Sequence, residues 1–309
     1  MKPRILVVGS LNMDLRLSLA RMPAAGETCF GQDYAYIPGG KGANQAVAAA
    51  RLGGQVVFCG RRGEDANGRI LEEGLRADGV DTSYLTADPD AQTGLAVIPV
   101  EEDGQNRIIV LSGANMRVGE ADLRAALRQP FDGVICQLEI PLEAVFSLHE
   151  MTREKGIPLI LDAGPAMSLP LHRLRGVEVI SPNETETRAI TGIPITDDAS
   201  ALEAARRIKE EAQARFVVLK LGGRGALLYG ERTERFYPAY PVRAVDTTAA
   251  GDAFTAALTL RYLETGDMQA AMEWAGIAGA LTVTKAGAQP SLPTAVELEA
   301  FRRAAVPPG

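Results

Sequence analysis

Short apolar runs alternate along this chain with amphipathic stretches of helical length, and this alternation limits the possible folds more than any other feature. The apolar runs have strand length and mostly lack a polar face, as in strands buried on both sides of a sheet; they occupy residues 5–8, 56–59, 134–136, 159–161, 177–180 and 216–219. The helix-like segments occupy residues 44–52, 70–77, 142–155, 199–212 and 268–284. Strand, helix and strand in repetition predict a parallel sheet with right-handed crossovers.

Further segments show a different pattern, in which apolar and polar residues alternate over short distances. They occupy residues 13–19, 28–36, 93–100 and 107–111 and are separated by turn signals such as Glu102-Asp103-Gly104. This pattern predicts a small separate sheet. Because the segments are inserted after the first strand and again in mid-chain, the small sheet would lie beside the main strand ends, where ligands bind in such folds.

We therefore predict an α/β protein with a doubly wound, mostly parallel, Rossmann-like sheet and a small four-stranded β lid over the ligand site. The predicted division assigns residues 1–11, 39–91 and 113–309 to the core, and residues 12–38 and 92–112 to the lid. Apolar lid residues expected to be exposed predict a homodimer formed through the lids; they are Leu95, Val97, Ile108 and Val110. A closed lid would also exclude water from the site.

Composition excludes several other classes of protein. The 309 residues are 46% hydrophobic and carry a net charge of −7 without a Lys/Arg-rich stretch, so neither a nucleic-acid nor a membrane partner is expected. The apolar run after Arg4 is too short for a signal sequence, which predicts a cytoplasmic protein. Cys59 and Cys136 lie in apolar runs and predict buried, reduced thiols. The presence of only two histidines argues against a histidine-rich metal centre.

The run 245–252, Val-Asp-Thr-Thr-Ala-Ala-Gly-Asp, leads into a helix-like segment. Its small residues allow an anion to approach backbone amides that have no partner within the helix and lie at the positive end of its dipole. The run thus predicts a phosphate site with a carboxylate, Asp252, beside it. Taken alone, an acidic residue such as Asp252 in a first helical turn is far more often a helix cap or a dipole partner than a catalytic base.

Two motifs near the N-terminus together predict a pocket for a polyol. Asn12 and Asp14 place an amide and a carboxylate on one side of an extended segment, where they can bind a vicinal diol or simply close an Asx turn. The loop 39–44, Gly-Gly-Lys-Gly-Ala-Asn, lacks Walker A spacing but lets the backbone approach a polar ligand. Lys41 offers positive charge and Asn44 a hydrogen bond, although a loop of this kind is often only a tight turn.

Other polar groups follow later apolar strands. Glu139 is either a ligand contact or a solvated strand end. Asn183 and Glu186 share one face at a helix start, where they could hold magnesium-bound water or phosphate oxygens, or form a capping box. The glycine-rich turn 220–225 fits either a plain hairpin or a loop at the edge of a nucleotide.

With these motifs, the chain resembles the PfkB family of carbohydrate kinases over essentially its whole length. The loop 39–44 and the run 246–252 are typical of the whole family. A narrower resemblance, to the ribokinase branch, is carried by Asn12, Asp14, Glu139 and the ending Gly287-Ala288-Gln289-Pro290-Ser291.

The resemblance implies transfer of phosphate from ATP to O5 of D-ribose, giving ribose 5-phosphate and ADP. It implies that Asp252 is the base near the 5-hydroxyl and that an anion hole is formed by the amides of Ala249, Ala250 and Gly251 with that of Asp252. The residues implied in sugar binding are Asn12, Asp14, Gly40, Lys41, Asn44, Glu139 and Asp252.

The resemblance also implies sites for ATP and for two cations. The residues expected around ATP are Asn183, Glu186, Lys220, Leu221, Gly222, Gly223, Arg224, Gly225, Gly251, Asp252 and Gly276. Mg2+ would accompany ATP and be held through water by Asn183 and Glu186. K+ is expected as an activator, bound in part by backbone carbonyls, at Asp246, Thr248, Thr282, Lys285, Gly287 and Ser291.

Three residues depart from the family pattern. Gly276 stands where a ring or amide side chain often lies against adenine, which leaves the nucleotide preference open. Lys220 stands where a small hydroxyl residue is common, and either contacts phosphate or faces solvent. Ala249 replaces a glycine, a variant also found in the ribokinase branch.

Two alternative functions belong to different classes. A sibling kinase for fructose, deoxyribose, a keto-deoxy sugar acid or a nucleoside would keep Gly251 and Asp252 but differ in the sugar pocket, and Asn12, Asp14 and Glu139 argue against it. A nonenzymatic sugar sensor on the same fold is the second alternative. An intact Asp252 argues against the sensor.

Overall fold

Two β-sheets, one large and one small, organise the computed structural model, which describes residues 2–230 and 232–305. The strands are β1 (Arg4–Val8), β2 (Asn12–Leu19), β3 (Asp33–Gly39), β4 (Gln55–Gly63), β5 (Asp81–Asp88), β6 (Gly94–Glu101), β7 (Ile109–Leu111), β8 (Gly133–Cys136), β9 (Leu159–Asp162), β10 (Val179–Ser181), β11 (Phe216–Lys220), β12 (Ala226–Gly230) and β13 (Glu234–Tyr237). The helices are α1 (Lys41–Arg51), α2 (Ala66–Ala77), α3 (Glu120–Ala126), α4 (Leu142–Glu154), α5 (Glu184–Thr191), α6 (Asp198–Ala212), α7 (Ala250–Thr265), α8 (Met268–Thr282) and α9 (Ala295–Ala305). None of the helices in these ranges is long and apolar enough to cross a membrane.

The large sheet confirms the predicted doubly wound, mostly parallel topology. Over the described residues it has nine strands in the order β13-β12-β11-β10-β9-β8-β1-β4-β5. All neighbours from β11 to β5 are parallel, whereas β12 and β13 add an antiparallel edge. The chain leaves β1 for β4 on one side and returns to β8 on the other, so the strand order reverses between β1 and β8. Ligands bind at such a reversal, outside the carboxyl ends of the strands.

The apolar runs are buried because helices cover both faces of the large sheet. In β1, Ile5 and Val7 pack into a cluster with residues of α1 and α7, whereas Leu6 and Val8 pack into a second cluster with residues of α4 and α6. The alternating side chains of one strand therefore enter opposite layers, and the strand needs no polar face. The predicted burial of Cys59 and Cys136 is also confirmed, and both thiols are free.

The small sheet has the order β3-β2-β6-β7 and forms the predicted four-stranded lid sheet. The strand predicted over residues 28–36 is wrong at its start, since β3 begins at Asp33. Its partner β2 ends at Leu19, so the residues before Asp33 have no strand opposite them in the described ranges. At its other end β3 runs to Gly39, which pairs with Asn12, so the lid sheet extends into the glycine-rich loop.

The apolar surface of this lid sheet lies at its two outer strands. Ile108 and Val110 are exposed, as predicted, whereas Leu95 and Val97 on the inner strand β6 are only half-exposed. The prediction was therefore wrong for the inner pair, because an inner strand is shielded by the neighbours on both sides. Further apolar surface at the outer strands comes from Tyr34, Tyr36, Ile109 and Leu111.

Candidate active site

Polar side chains from separate strands meet outside the carboxyl ends of the parallel sheet. Asp162, Ser181 and Lys220 are the last residues of β9, β10 and β11, three neighbouring strands. Ser10 and Gln137 follow β1 and β8 at the reversal of strand order. The topology thus brings together groups that lie up to about 210 residues apart along the chain.

The glycine-rich loop fits against β1 and β2 only because its glycines have no side chains. A Cβ on Gly40 would lie 2.7 Å from the backbone nitrogen of Asn12, and the φ of Gly40 is 88°, in the left-handed region. A Cβ on Gly42 would lie 2.6 Å from the nitrogen of Ser10. A side chain on Gly39 would meet the carboxylate of Asp14. These glycines therefore bring the start of α1 against the polar groups that follow β1.

Two carboxylates predicted to bind a sugar lie close together at this loop. Glu139 accepts hydrogen bonds from the hydroxyl of Ser10 and, at 3.1 Å, from the backbone amide of Lys41. Burial, together with the charge of Glu139, raises the pKa of Asp14 to about 7. Asn12 is buried, and its Oδ1 accepts a 2.7 Å hydrogen bond from Nδ2 of Asn115. The predicted diol-binding groups therefore lie at the same glycine-rich loop, although Asn12 is already held by Asn115.

The perturbed carboxyl of Asp14 predicts a pH-dependent stability. Its folded-state pKa, about 7, is above the ordinary value of 3.8, so the folded protein binds the extra proton between these values. The ionised form opposes folding, and stability is lost as pH rises through this window. We expect Asp14→Asn to gain on the order of 2 kcal/mol of unfolding free energy relative to wild type between pH 5 and pH 8.

Urea denaturation at the two pH values measures this difference. The control is Asp33→Asn, which changes an exposed carboxylate on the same lid sheet and should give the same offset at both pH values. A relative stability of Asp14→Asn that does not change with pH would contradict the assignment of the raised pKa.

Asp252 is held at the start of α7 by side chains of α1. Its two carboxylate oxygens accept 3.0 Å hydrogen bonds from Nδ2 of Asn44 and from Nε2 of Gln45. Nζ of Lys41 lies 3.6 Å from Oδ1 of Asp252. Burial raises the pKa of Asp252, while Lys41 and the amide donors oppose that shift. A buried carboxylate with a raised pKa is better suited to accept a proton from an alcohol.

The residues before Asp252 form a tight backbone turn. Ala249 precedes the helix with φ 59°, in the left-handed region that favours glycine. The predicted anion hole included Ala250, but the amide of this residue makes a 3.3 Å hydrogen bond to the carbonyl of Thr247. The amides of Gly251 and Asp252 follow in the first turn, where no earlier helical carbonyl is available to them.

Asp162 is the carboxylate that the sequence interpretation missed. It is fully buried, and its oxygens accept hydrogen bonds from Nζ of Lys220 at 2.7 Å and from Nε2 of Gln45 at 2.7 Å. Nζ of Lys41 lies 3.5 Å from the same group. Although burial disfavours the ion, the ammonium groups of Lys220 and Lys41 hold the pKa of Asp162 below its usual range. Of the two alternatives left open for Lys220, the one in which its side chain faces solvent is therefore wrong.

Asn183 and Glu186 form the capping box that the sequence left open as an alternative. The amide of Glu186 donates to Oδ1 of Asn183 at 2.8 Å, and the amide of Asn183 donates to Oε2 of Glu186 at 2.7 Å. The other oxygen of Glu186 faces Gly164. Burial raises the pKa of Glu186, an effect that Lys220 opposes. One carboxylate oxygen therefore remains directed away from the capping box.

The glycine-rich turn after β11 is structurally a hairpin. Lys220 pairs with Ala226 across the antiparallel strands, and the amide of Leu221 donates to the carbonyl of Gly225 at 2.8 Å. Arg224 reaches back to Glu184 at 2.9 Å. The remaining predicted members of this loop, Gly222 and Gly223, lie in its single helical turn. This hairpin follows the carboxyl end of β11, at the same end of the parallel strands as Asp162. A plain hairpin and a loop at the edge of a nucleotide therefore both remain compatible with the structure.

Gly276 lies on α8 under an aromatic side chain. A Cβ at Gly276 would be 3.3 Å from Cε2 of Tyr240. The ring of Tyr240 makes an edge-to-face contact with Phe301, with 5.6 Å between the ring centres. The side chain missing from Gly276 is thus compensated by a ring from another segment.

Two loops meet beside the start of α7. Asp246 accepts hydrogen bonds from the hydroxyl of Thr248 at 2.7 Å and from the amide of Gly287 at 2.9 Å. The hydroxyls of Thr282 and Ser291 donate to backbone carbonyls of Ala278 and Ala288, at 2.8 and 2.7 Å. The ammonium of Lys285 pairs with Glu297 at 2.6 Å. Of the six predicted cation-site residues, Thr282 therefore ends α8 and the other five lie on these loops. Gly287 contributes its amide, and the side chains of the rest are engaged by protein groups.

Comparison with known proteins supplies the family. Residues 2–295 match the model described as pfkB family carbohydrate kinase. The chain belongs to this family. A ribokinase from Haemophilus influenzae is 35% identical over 303 residues, covering 97% of this chain and 99% of that protein. A ribokinase from Bacillus subtilis is 37% identical, with 96% and 98% covered. A deoxyribokinase from Salmonella typhi is 34% identical, with 94% and 95% covered.

Solved structures give the same relationship for the fold of this pfkB-family kinase. The structure of Arabidopsis thaliana ribokinase complexed with ribose and ATP has a TM-score of 0.90 and 33% identity, covering 97% of this chain and 99% of that chain. Ribokinase from Thermotoga maritima has a TM-score of 0.88 and 31% identity, with 98% and 100% covered. The similarity includes both the large sheet and the lid sheet, since almost the whole length is covered.

Several polar residues of this kinase site escaped the sequence interpretation. Gln45 donates to both Asp162 and Asp252, and it accepts a 2.6 Å hydrogen bond from Gln137. The available signal was position: Asp162 ends an apolar run just as Glu139 follows one. Gln45 gave a weaker signal, one residue after Asn44 at the helix start.

Proposed function

We propose that this kinase transfers the terminal phosphoryl group of ATP to O5 of D-ribose, giving ribose 5-phosphate and ADP. The observation that carries the proposal is the placement of buried Asp252 at a helix start, where it accepts hydrogen bonds from Asn44 and Gln45 of α1. A base for a sugar hydroxyl and a site for phosphate would thus adjoin each other. The names of the ribokinase relatives support ribose as the acceptor.

The sugar end of the site combines hydrogen-bond acceptors with positive charge. Asp14 and Glu139 offer carboxylates to sugar hydroxyls, and Asn12 offers an amide. Lys41 stands between this pocket and Asp252 and adds an ammonium. Backbone approach at Gly40 completes a pocket suited to a compact polyol rather than to an apolar ligand.

The lid sheet, formed by residues 12–38 and 92–112 in the predicted division, would cover this pocket. Its strand β2 begins at Asn12 and its strand β3 ends beside Gly40, so closure of the lid would directly move residues proposed to bind the sugar. The rest of the chain would form the nucleotide- and sugar-binding core. Excluding water in this way limits transfer of phosphate to water in place of the sugar.

Phosphoryl transfer here requires positioning more than covalent catalysis. Because the transferring group is loosely bonded in the transition state, aligned donors and charges supply most of the acceleration. The amides of Gly251 and Asp252 would face its oxygens. Asp252 would receive the proton of the 5-hydroxyl late in the reaction, when the new bond to phosphorus has begun to form.

The nucleotide would lie along the loop 220–225 and toward Gly276. Over residues 2–230 and 232–305, no group of three or more His, Cys, Asp or Glu side chains could hold a metal ion by itself. Mg2+, which shields the negative charge of ATP phosphates, fits the free oxygen of Glu186 through water, with Asn183 beside it. This arrangement agrees with a metal that arrives with ATP.

A monovalent cation, K+, is proposed at the loops joined by Asp246. The carboxylate and nearby carbonyl oxygens are ligands of the type that alkali cations accept, and a positive charge there would stabilise the adjacent anion hole. Replacing K+ by tetramethylammonium at equal ionic strength should lower kcat by about 10-fold. Asp246→Asn should raise the K+ concentration needed for half-maximal activity.

Steady-state ADP release measured against K+ concentration tests this proposal. Asp267→Asn is the control, since Asp267 caps α8 and lies outside the proposed cation site. Equal activity of wild type in both salts would contradict K+ activation, and an unchanged K+ response of Asp246→Asn would contradict the location.

Homodimerisation through the lid sheets is the proposed assembly. The outer strands expose Tyr34, Tyr36 and all of β7, with 49–65% of each of these apolar side chains accessible. An exposed apolar edge strand is otherwise prone to pair with other chains. Val110→Glu is therefore expected to convert dimers to monomers at micromolar concentration, because the interface would have to bury a charge.

Analytical ultracentrifugation measures this change. Ile70→Glu, which places the same charge on an exposed apolar position of α2, should leave the mass unchanged. A wild-type protein that is monomeric at all concentrations would contradict the proposal.

Ribose phosphorylation is tested by measuring ADP release with a panel of sugars. Ribose, deoxyribose, fructose, a keto-deoxy sugar acid and a nucleoside are each supplied with ATP and Mg2+, and thermal unfolding is followed with each sugar alone. The highest kcat/KM with ribose supports the proposal. A preference for deoxyribose, consistent with the Salmonella typhi relative, would identify a sibling kinase. Sugar-dependent stabilisation without ADP would identify a sensor.

A further inference from the structure

Asp162 and Lys220 form an ion pair that the proposed roles do not require. Nζ of Lys220 lies 2.7 Å from Oδ1 of Asp162. The two residues end β9 and β11, so the pair spans the end of β10, where the buried hydroxyl of Ser181 has no hydrogen-bond partner among the described residues. The Asp162 side chain is 0% exposed and that of Lys220 is 12% exposed. The carboxylate is fixed inside the protein, whereas the ammonium lies at the edge of the site.

Lys220 is also directed at the start of α7. A Cβ on Gly251 would lie 3.7 Å from Nζ of Lys220 and 3.8 Å from its Cδ. The amide of Gly251 belongs to the helix turn that presents backbone donors to an anion. The ammonium of Lys220 therefore lies next to the place where those donors converge, without any change of rotamer.

The surrounding charges explain why the lysine remains in this position. Glu186 also faces this group, and its charge interacts with Lys220 and Lys41. The buried cluster combines the carboxylates of Asp162, Glu186 and Asp252 with two ammonium groups. Since buried charges need partners, Asp162 would be costly without Lys220. The same carboxylate limits the directions that the flexible lysine side chain can take.

We propose that Asp162 is a positioning residue that aims the ammonium of Lys220 at the phosphoryl group being transferred. The inference rests on the proposed kinase function. The ammonium of Lys220 would be the second one in the site, in addition to that of Lys41 on the sugar side. The terminal phosphorus of ATP loses its bond to the bridging oxygen and gains a bond to the sugar oxygen. The electron pair of the broken bond leaves with ADP, and the hydroxyl proton passes to Asp252. Lys220 stabilises the negative charge on the phosphoryl oxygens during this exchange.

Substitutions of Lys220 test the first half of the proposal. Lys220→Met is expected to lower kcat by about 10²-fold while the ribose dissociation constant, measured by calorimetry, changes by less than about 2-fold. Lys220→Arg keeps the charge and should recover at least about 5-fold of this loss. A kcat of Lys220→Met within about 3-fold of wild type would overturn the proposal.

A double-mutant cycle tests whether Asp162 acts through Lys220. Asp162→Asn alone should lower kcat by about 10-fold, but in the Lys220→Met background it should lower kcat by less than about 3-fold. Losses that multiply would overturn the proposal, because they would show that Asp162 acts by another path, such as Gln45. Glu178→Gln is the matched control: it removes a carboxylate that pairs with Arg215 just before β10, at the opposite end of that strand from the site.

Thermal unfolding of each variant identifies loss of the fold. If Asp162→Asn does not fold, the comparison of Lys220→Met with Lys220→Arg decides the proposal. A kcat of Lys220→Arg that is no higher than that of Lys220→Met would overturn it. Failure of the proposed function gives a different result. A wild-type protein that forms no ADP with any sugar contradicts that function. An active wild type together with a Lys220→Met variant that phosphorylates the sugar equally fast contradicts only this inference.

Discussion

Replacing Asp252 by Asn is expected to lower kcat by about 10²-fold or more while the affinity for ATP stays nearly unchanged. The amide keeps the shape of the side chain but cannot take the proton of the sugar hydroxyl. The backbone amides of Gly251 and residue 252, which would face the phosphate, remain in place. The loss should therefore appear in turnover and not in nucleotide binding.

The fold should tolerate Asp252→Asn. Burial raises the pKa of Asp252 above its ordinary value of 3.8, so the ionised carboxylate opposes folding increasingly as the pH rises above that value. An uncharged amide removes this opposition, which outweighs the lost pairing with Lys41 because the net shift of the pKa of Asp252 is upward. We expect a melting temperature at pH 7.5 equal to or above that of wild type, which separates lost chemistry from lost structure.

ADP release and ATP calorimetry measure the two quantities. Asp197→Asn is the control, because it makes the same change at the cap of α6, outside the site. A kcat of Asp252→Asn near that of wild type would refute the assignment of Asp252 as the base.

Gly40→Ala is expected to cost about 3 kcal/mol of unfolding free energy and to raise the KM for the sugar at least 10-fold. The new alanine would have to keep a left-handed backbone with φ 88°, and its methyl group would lie 2.7 Å from the backbone nitrogen of Asn12. Relief of that contact must move the loop away from β2. The residues proposed to bind the sugar on the loop and on β2 would then move apart.

A matched glycine isolates the clash from the backbone strain. Gly79 has φ 81°, and a Cβ there would meet nothing within 4 Å. Gly79→Ala should therefore cost only about 1 kcal/mol and leave the KM unchanged. Denaturant unfolding and sugar-dependent kinetics compare the two variants. Equal losses of stability would show that close packing of the loop is unimportant.

The large sheet could be predicted because its strands are buried by a simple repeated arrangement. Ile5 and Leu6 face different helical layers, so burial on both faces leaves an uninterrupted apolar run in the sequence. The strand before Asp33 was predicted wrongly because alternation shows that a segment could be a strand but not that a partner lies opposite it. Pairing depends on where the other strand ends, which local sequence does not contain.

The candidate site was predictable in part for a related reason. Groups in compact motifs, such as Lys41 and Asn44, were singled out for a polyol pocket, and the structure places both beside Asp252. Asp162 was missed because a single carboxylate after a strand has many possible roles. Its importance comes from Lys220 and Gln45, which approach it from distant parts of the chain.

The continuity of the lid sheet with the glycine-rich loop has a consequence for the evolution and redesign of such kinases. Gly39 is both the last residue of a lid strand and the neighbour of Gly40, and Asn12 pairs with it. If the proposed sugar pocket and the proposed dimer are correct, sugar recognition and the surface for a second subunit would therefore be inherited as one module. Exchange of that module between relatives would transplant acceptor preference together with assembly, while the apparatus for nucleotide handling around Lys220 would stay with the recipient.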